Sequence, residues 1–129
     1  MSVTMTTDYW ESVINDERVD LCPSWHSVDD AITRLNETVY TLVVLDDHQG
    51  SSLFIGGGLA GIVVAWSKGD QHLIARRGDQ SEKVSIVVGG QAGEYKRRNA
   101  ISLDEAKSIA RAYFNGSDVR DLGEWDHRS

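Results

Sequence analysis

The chain has 129 residues and carries 20 acidic against 13 basic side chains, a net charge of −7 at neutral pH. That length suits one domain with its own core, and the acid excess argues against direct nucleic-acid binding, which draws its affinity from neutralising phosphates. A single cysteine, Cys22, excludes an internal disulfide and any metal centre built on several thiolates, and no apolar run approaches the ~20 residues of a membrane span.

Met1 to Tyr9 has no basic residue and no apolar centre, unlike a secretory signal, so a cytoplasmic protein is expected. A single domain over residues 1–129 is expected, with residues 1–20 a loosely packed N-terminal extension. Cys22 reads as a small apolar residue in or near the core. Val28, Ala31, Ile32 and Leu35 follow at helical spacing, with Ser27 as cap, Asp29 and Asp30 at the positive end of the dipole, and Asn36 as stop. Trp10 and Trp25 flank this helix and are expected beneath it.

The period then changes to that of strands. Thr38–Leu45, Ser52–Ile55, Ile62–Trp66, Gln71–Arg76 and Lys83–Val88 are five β-rich runs. They are separated by Asp46–Gly50, Gly56-Gly57-Gly58, Lys68-Gly69-Asp70 and Gly78-Asp79, and closed by Gly89-Gly90. Glu94–Arg98 is a candidate sixth. Turns this short imply an antiparallel meander. Ser102 and Glu105 form an S-x-x-E capping box. Behind it, Ala106, Ile109, Ala110, Tyr113 and Phe114 make an apolar stripe, ended at Asn115 or Gly116. The expected fold is α+β: an antiparallel β-meander of about five or six strands with two helices packed on one face.

Catalytic equipment is sparse. Gly56-Gly57-Gly58 lacks the Lys-Ser/Thr of a phosphate loop, and a strand rather than a helix follows it, so it reads as a turn or bulge. Gly89-Gly90 reads as a bulge or a close backbone approach. No histidine pair has metal-ligand spacing, and no serine lies in G-x-S-x-G. No cofactor, metal or catalytic residue is expected. Asp46-Asp47-His48 offers two carboxylates and an imidazole on one turn. Trp125, within Gly123-Glu124-Trp125-Asp126, either pins the tail to the core or anchors an interface.

Several segments together resemble the first-described family of immunity proteins from bacterial polymorphic toxin systems. They are the helix with Val28-Asp29-Asp30-Ala31 and Leu35, the strand Thr41-Leu42-Val43-Val44, and Leu53-Phe54-Ile55 with the three glycines. Val87-Val88-Gly89-Gly90-Gln91, Leu103-Asp104-Glu105-Ala106 with Phe114, Gly116 and Trp125 complete the set. The resemblance covers about residues 24–126.

It implies a non-enzymatic protein that binds a cognate toxin domain, often a nucleic-acid deaminase, and blocks its active site or substrate groove. An acidic inhibitor suits a basic, nucleic-acid-acting partner. The family supplies no interface residues. The expected partner-binding set rests on charge density and on the exposure of turns and tails: Asp46, Asp47, His48, Asp118, Asp121, Glu124, Trp125 and Asp126. Two other classes stay open: a ligand-binding domain or enzyme using the Gly56–Gly58 region, and a homodimeric adaptor joined by sheet edges.

Overall fold

Between Leu42 and Arg76 lie continuous apolar runs whose successive side chains point to opposite faces of a sheet, and these runs build the centre of the molecule. The computed structural model describes residues 3–128. Its strands are β1 (Thr4–Thr7), β2 (Trp10–Glu11), β3 (Ile14–Asn15) and β4 (Arg18–Asp20), followed by α1 (Trp25–Thr33). Then come β5 (Leu42–Asp46), β6 (Ser51–Gly58), β7 (Gly61–Lys68), β8 (Gln71–Arg76), β9 (Lys83–Val88) and β10 (Gln91–Lys96). Helix α2 (Leu103–Phe114) and strand β11 (Glu124–His127) close the chain, with short 3₁₀ turns at Arg97–Asn99 and Val119–Asp121. The fold is α+β, an antiparallel meander with two helices. Seven strands form one sheet in the order β11-β8-β7-β6-β5-β1-β4, and every described pairing is antiparallel.

The inner face carries Val43, Leu45, Leu53, Ile55, Val64 and Leu73, which join Ile32 of α1 and Ile109 of α2 in one buried cluster. Each such side chain contributes about 1.5–3 kcal/mol relative to exposure. The intervening residues face the other way. There Val63 and Ile74 pack against Ile86 of the β9–β10 hairpin. The expected fifth strand, β9, and the expected sixth, β10, therefore both lie outside the main sheet. They pair with each other and cover part of the outer face.

Several boundaries differ from the sequence reading for identifiable reasons. Helix α1 is capped by Ser24, not Ser27: the Ser24 hydroxyl accepts from the Ser27 amide at 3.1 Å, directly after buried Pro23. The strand expected from Thr38 starts at Leu42, because the Asn36 side chain accepts from the amides of Thr38, Val39 and Tyr40 at 3.0–3.1 Å and curls the chain there. β6 runs through the three glycines, which hydrogen-bond to β7. Helix α2 behaves as read. Ser102 Oγ accepts from the Glu105 amide at 3.2 Å, and Gly116 (φ +87°) closes the helix with Ser117 N–H donating to Ala112 O at 2.9 Å.

The N-terminal residues divide. β1 inserts between β5 and β4, with Val3 and Met5 buried, while residues 11–22 are all exposed. Cys22 is among them, contrary to its expected place near the core. Trp25 packs beside Phe114, with ring centroids 5.9 Å apart. Trp10 lies away from α1, over Gly90, whose missing side chain makes room for the indole.

Candidate functional site

The sequence places carboxylates on two turns about seventy residues apart, and the fold brings those turns to one end of the sheet. The first is the β5–β6 hairpin. Asp47 Oδ1 accepts from the amides of Gln49 (2.8 Å) and Ser51 (3.2 Å), and its Oδ2 accepts from the Ser51 hydroxyl at 2.7 Å. Burial pushes this carboxyl up, but those hydrogen bonds outweigh it and leave the pKa below the ordinary value. Asp46 Oδ1 accepts from the His48 amide at 2.7 Å, and the His48 ring reaches the Thr4 hydroxyl. His48 itself has φ +59°.

The second turn follows the Gly116 cap of α2. Asp118 caps the Val119–Asp121 turn by accepting from the Arg120 amide at 3.0 Å, and it grips the Arg120 guanidinium at 2.7–3.2 Å. Hydrogen bonding to Arg120 holds the Asp118 carboxyl down at about 2. The guanidinium also stacks over Trp66, 4.9 Å from the ring centroid.

Between the turns lies a cleft of about 200 Å³ lined by Asp47, Ser51, Lys68, Tyr113, Asp118 and Arg120. Its floor is fixed by Tyr113. The phenol donates to the Ser51 carbonyl at 2.9 Å and also meets the Ser51 hydroxyl at 2.9 Å. Burial pushes the Tyr113 hydroxyl up to about 12. The turn is thus clamped to α2, which gives its carboxylates fixed directions.

Of the eight residues singled out from sequence, Asp47 and Asp118 line this cleft, Asp46 and His48 share the first turn, and Asp121 is exposed on the second. The other three sit on β11 and are engaged within the fold. Glu124 pairs with Arg76. Asp126 lies 3.0 Å from Arg98 and 3.6 Å from Arg76, and accepts from Asn99 at 3.1 Å. Trp125 is half-buried against the core and donates its indole N–H to the Val119 carbonyl at 3.1 Å, pinning the tail.

Sequence reading passed over Tyr113 as part of an apolar stripe. Its signal was the hydroxyl, which needs a partner once buried. It also passed over Asp8, which is 5% exposed. Asp8 accepts from the amides of Thr41 (2.7 Å) and Leu42 (2.9 Å), the Thr41 hydroxyl, and the Trp10 indole (2.7 Å).

Gly56–Gly58 is closely packed on both sides. A Cβ on Gly56 would lie 2.9 Å from the Thr41 carbonyl, and one on Gly58 3.2 Å from the Asn36 backbone. Among the described residues no three His, Cys, Asp or Glu side chains converge as a metal site, and no helix is long and apolar enough to cross a membrane. Comparison with family models, with curated proteins and with solved structures finds no match for this chain.

Proposed function

We propose that this protein is a bacterial immunity protein, which binds the catalytic domain of a cognate toxin and occludes its active site or substrate groove. The observation that supports this most is the placement of Asp46, Asp47 and Asp121 on two turns at one end of the sheet, with Asp118 beside them paired to Arg120. Preset carboxylates suit a partner whose groove binds phosphate, because they offer negative charge with little ordering cost. The toxin on this reading acts on nucleic acid, deamination being the favoured chemistry, and is met in the cytoplasm. The resemblance in the sequence supplies the biological context, and the acidic balance agrees with it.

The test is co-purification with the toxin domain encoded immediately upstream, together with rescue of growth when both are expressed. Asp46→Lys with Asp47→Lys should slow association by ~10-fold or more at low salt and flatten its salt dependence. Absence of both complex and protection would overturn the function. Unchanged association kinetics in the double variant would remove the turn from the interface.

A further inference from the structure

Residues 10–22 form a protrusion whose composition is unusual for a free surface. Val13 is 86% exposed, Ile14 70%, Val19 59% and Leu21 75%. Exposed apolar side chains are ordinary when scattered and mark interaction sites when gathered. Glu11, Asp16, Glu17 and Asp20 stand among them, with no ion pair among the described residues. Arg18, the one cation here, lies over the Tyr9 ring at 4.8 Å.

The protrusion is held firmly. Trp10 donates to buried Asp8 through its indole and to the Val39 carbonyl through its amide at 2.8 Å. The Asp16 amide returns to the Tyr9 carbonyl at 2.8 Å, and the Asn15 side chain accepts from the Tyr9 amide at 3.3 Å. A buried carboxylate and an indole thus fix a segment, residues 11–22, that buries none of its own apolar side chains. β4 is also the outermost strand of the sheet, with one edge unpaired. In register, Val19 stands opposite Thr6, which stands opposite Val44 and then Phe54. The last two are half-buried, so apolar positions on the sheet face stand in line with Val19 across Thr6.

We propose that this protrusion is a docking surface for a basic protein surface bearing an apolar depression. Val13, Ile14, Val19 and Leu21 fill the depression, and the surrounding acids meet a cationic rim. The inference rests on the immunity reading for the partner's identity: the toxin domain is gripped here as well as at the Asp47–Asp118 cleft. Charge decides against a second copy of this chain, since residues 11–20 hold four carboxylates and one arginine on each copy.

The test is a binding titration of the upstream toxin domain against the full-length wild type, Val13→Ser with Ile14→Ser, and Leu21→Ser, with Asp46→Lys/Asp47→Lys in parallel. Melting curves verify folding, which the exposed positions Val13, Ile14 and Leu21 should leave unchanged. The expected result is at least ~10-fold weaker binding for Val13→Ser/Ile14→Ser, chiefly through faster dissociation, and a smaller loss for Leu21→Ser. Wild-type binding with both apolar variants unaffected would overturn the docking surface and leave the function standing. No wild-type binding would overturn both. Sedimentation showing a wild-type dimer that Val13→Ser/Ile14→Ser dissolves, with toxin affinity unaltered, would assign the surface to self-association and overturn the proposal.

Discussion

Replacing Asp8 with alanine removes one side chain and strands four donors. Two are backbone amides, Thr41 at 1% exposure and the half-buried Leu42. The others are the Thr41 hydroxyl, which itself accepts from the Gly90 amide at 2.9 Å, and the Trp10 indole. Each stranded buried donor costs about 1–3 kcal/mol. The costs do not add in full, because the indole and hydroxyl can turn toward water, so Asp8→Ala should lose about 3–5 kcal/mol. For a chain of this length that is a fall in Tm of roughly 11–18 °C. Asp8→Asn keeps an oxygen for the two amides but sets its NH₂ against the indole and hydroxyl donors, and should lose roughly half as much. Thermal and urea melts of both variants and of Thr41→Val measure this. If Asp8→Ala fails to fold, Asp8→Asn carries the comparison. A Tm within ~3 °C of wild type for both Asp8 variants would refute the account of Asp8 as the clasp joining β1, β5 and the β9–β10 turn.

Two further substitutions separate local mechanisms. Gly57 has φ +115°, and a Cβ there would collide with the Gly61 carbonyl, whereas Gly50 (φ +94°) has nothing within 4 Å. Gly57→Ala should therefore cost roughly 3 kcal/mol or more in urea melts, and Gly50→Ala only about 1 kcal/mol of backbone strain; equal costs would show that crowding at Gly57 is relieved. Asp126 is raised by burial but lowered further by the hydrogen bond from Asn99 and the charges of Arg98 and Arg76, so its folded pKa lies below the ordinary 3.8. A depressed folded pKa stabilises the protein fully above the unfolded value, and that contribution is lost as pH falls through the folded one. Asp126→Asn should lower stability at pH 7 by about 1–2 kcal/mol and shallow the decline below pH ~4. A decline as steep as wild type would assign the acid limb to other carboxylates.

What could be read from the sequence follows from how local each signal is. Gln71–Arg76 and Lys83–Val88 were legible to the residue because each is a short apolar, β-rich run bounded by glycine turns. The α2 cap was legible because S-x-x-E is contained within four residues. β1 and β11 were not legible. Thr4–Thr7 and Glu124–His127 alternate weakly, and what makes them strands is an open neighbour edge on β5 and on β8. The candidate cleft shows the same division. Asp46-Asp47-His48 stands out as a charged turn, but nothing nearby in the chain says that Tyr113 will clamp it or that Asp118 will face it. Trp125 and its acidic neighbours looked alike by composition, and only long-range pairing with Arg76 and Arg98 shows that Glu124 and Asp126 are engaged by cations of the same chain.

Net charge understates how the charges are sorted. Three arginines are largely turned inward: Arg76, Arg77 and Arg98 are each about a quarter exposed and bind Glu124, Glu105 and Asp126, while Lys96 and Arg97 stay exposed. Other cations lie over rings, Arg34 on Tyr40, Arg111 on Trp25 and Arg120 on Trp66. Each cation paired with an acid neutralises it, whereas a cation over a ring keeps its charge. Exposed carboxylates with no cation partner among the described residues stand on the protrusion and the second turn, at Glu11, Asp16, Glu17, Asp20 and Asp121, and also elsewhere, at Asp70, Asp79 and Asp104. Gathering like charges on a surface opposes folding through self-repulsion. The fold offsets that where it holds the charges in place, with the Asp8–Trp10 clasp under the protrusion and the Ser51–Tyr113 clasp under the turn. Carboxylates fixed in this way lose little freedom when a cationic surface arrives, which is the condition under which surface charge speeds association and selects the partner.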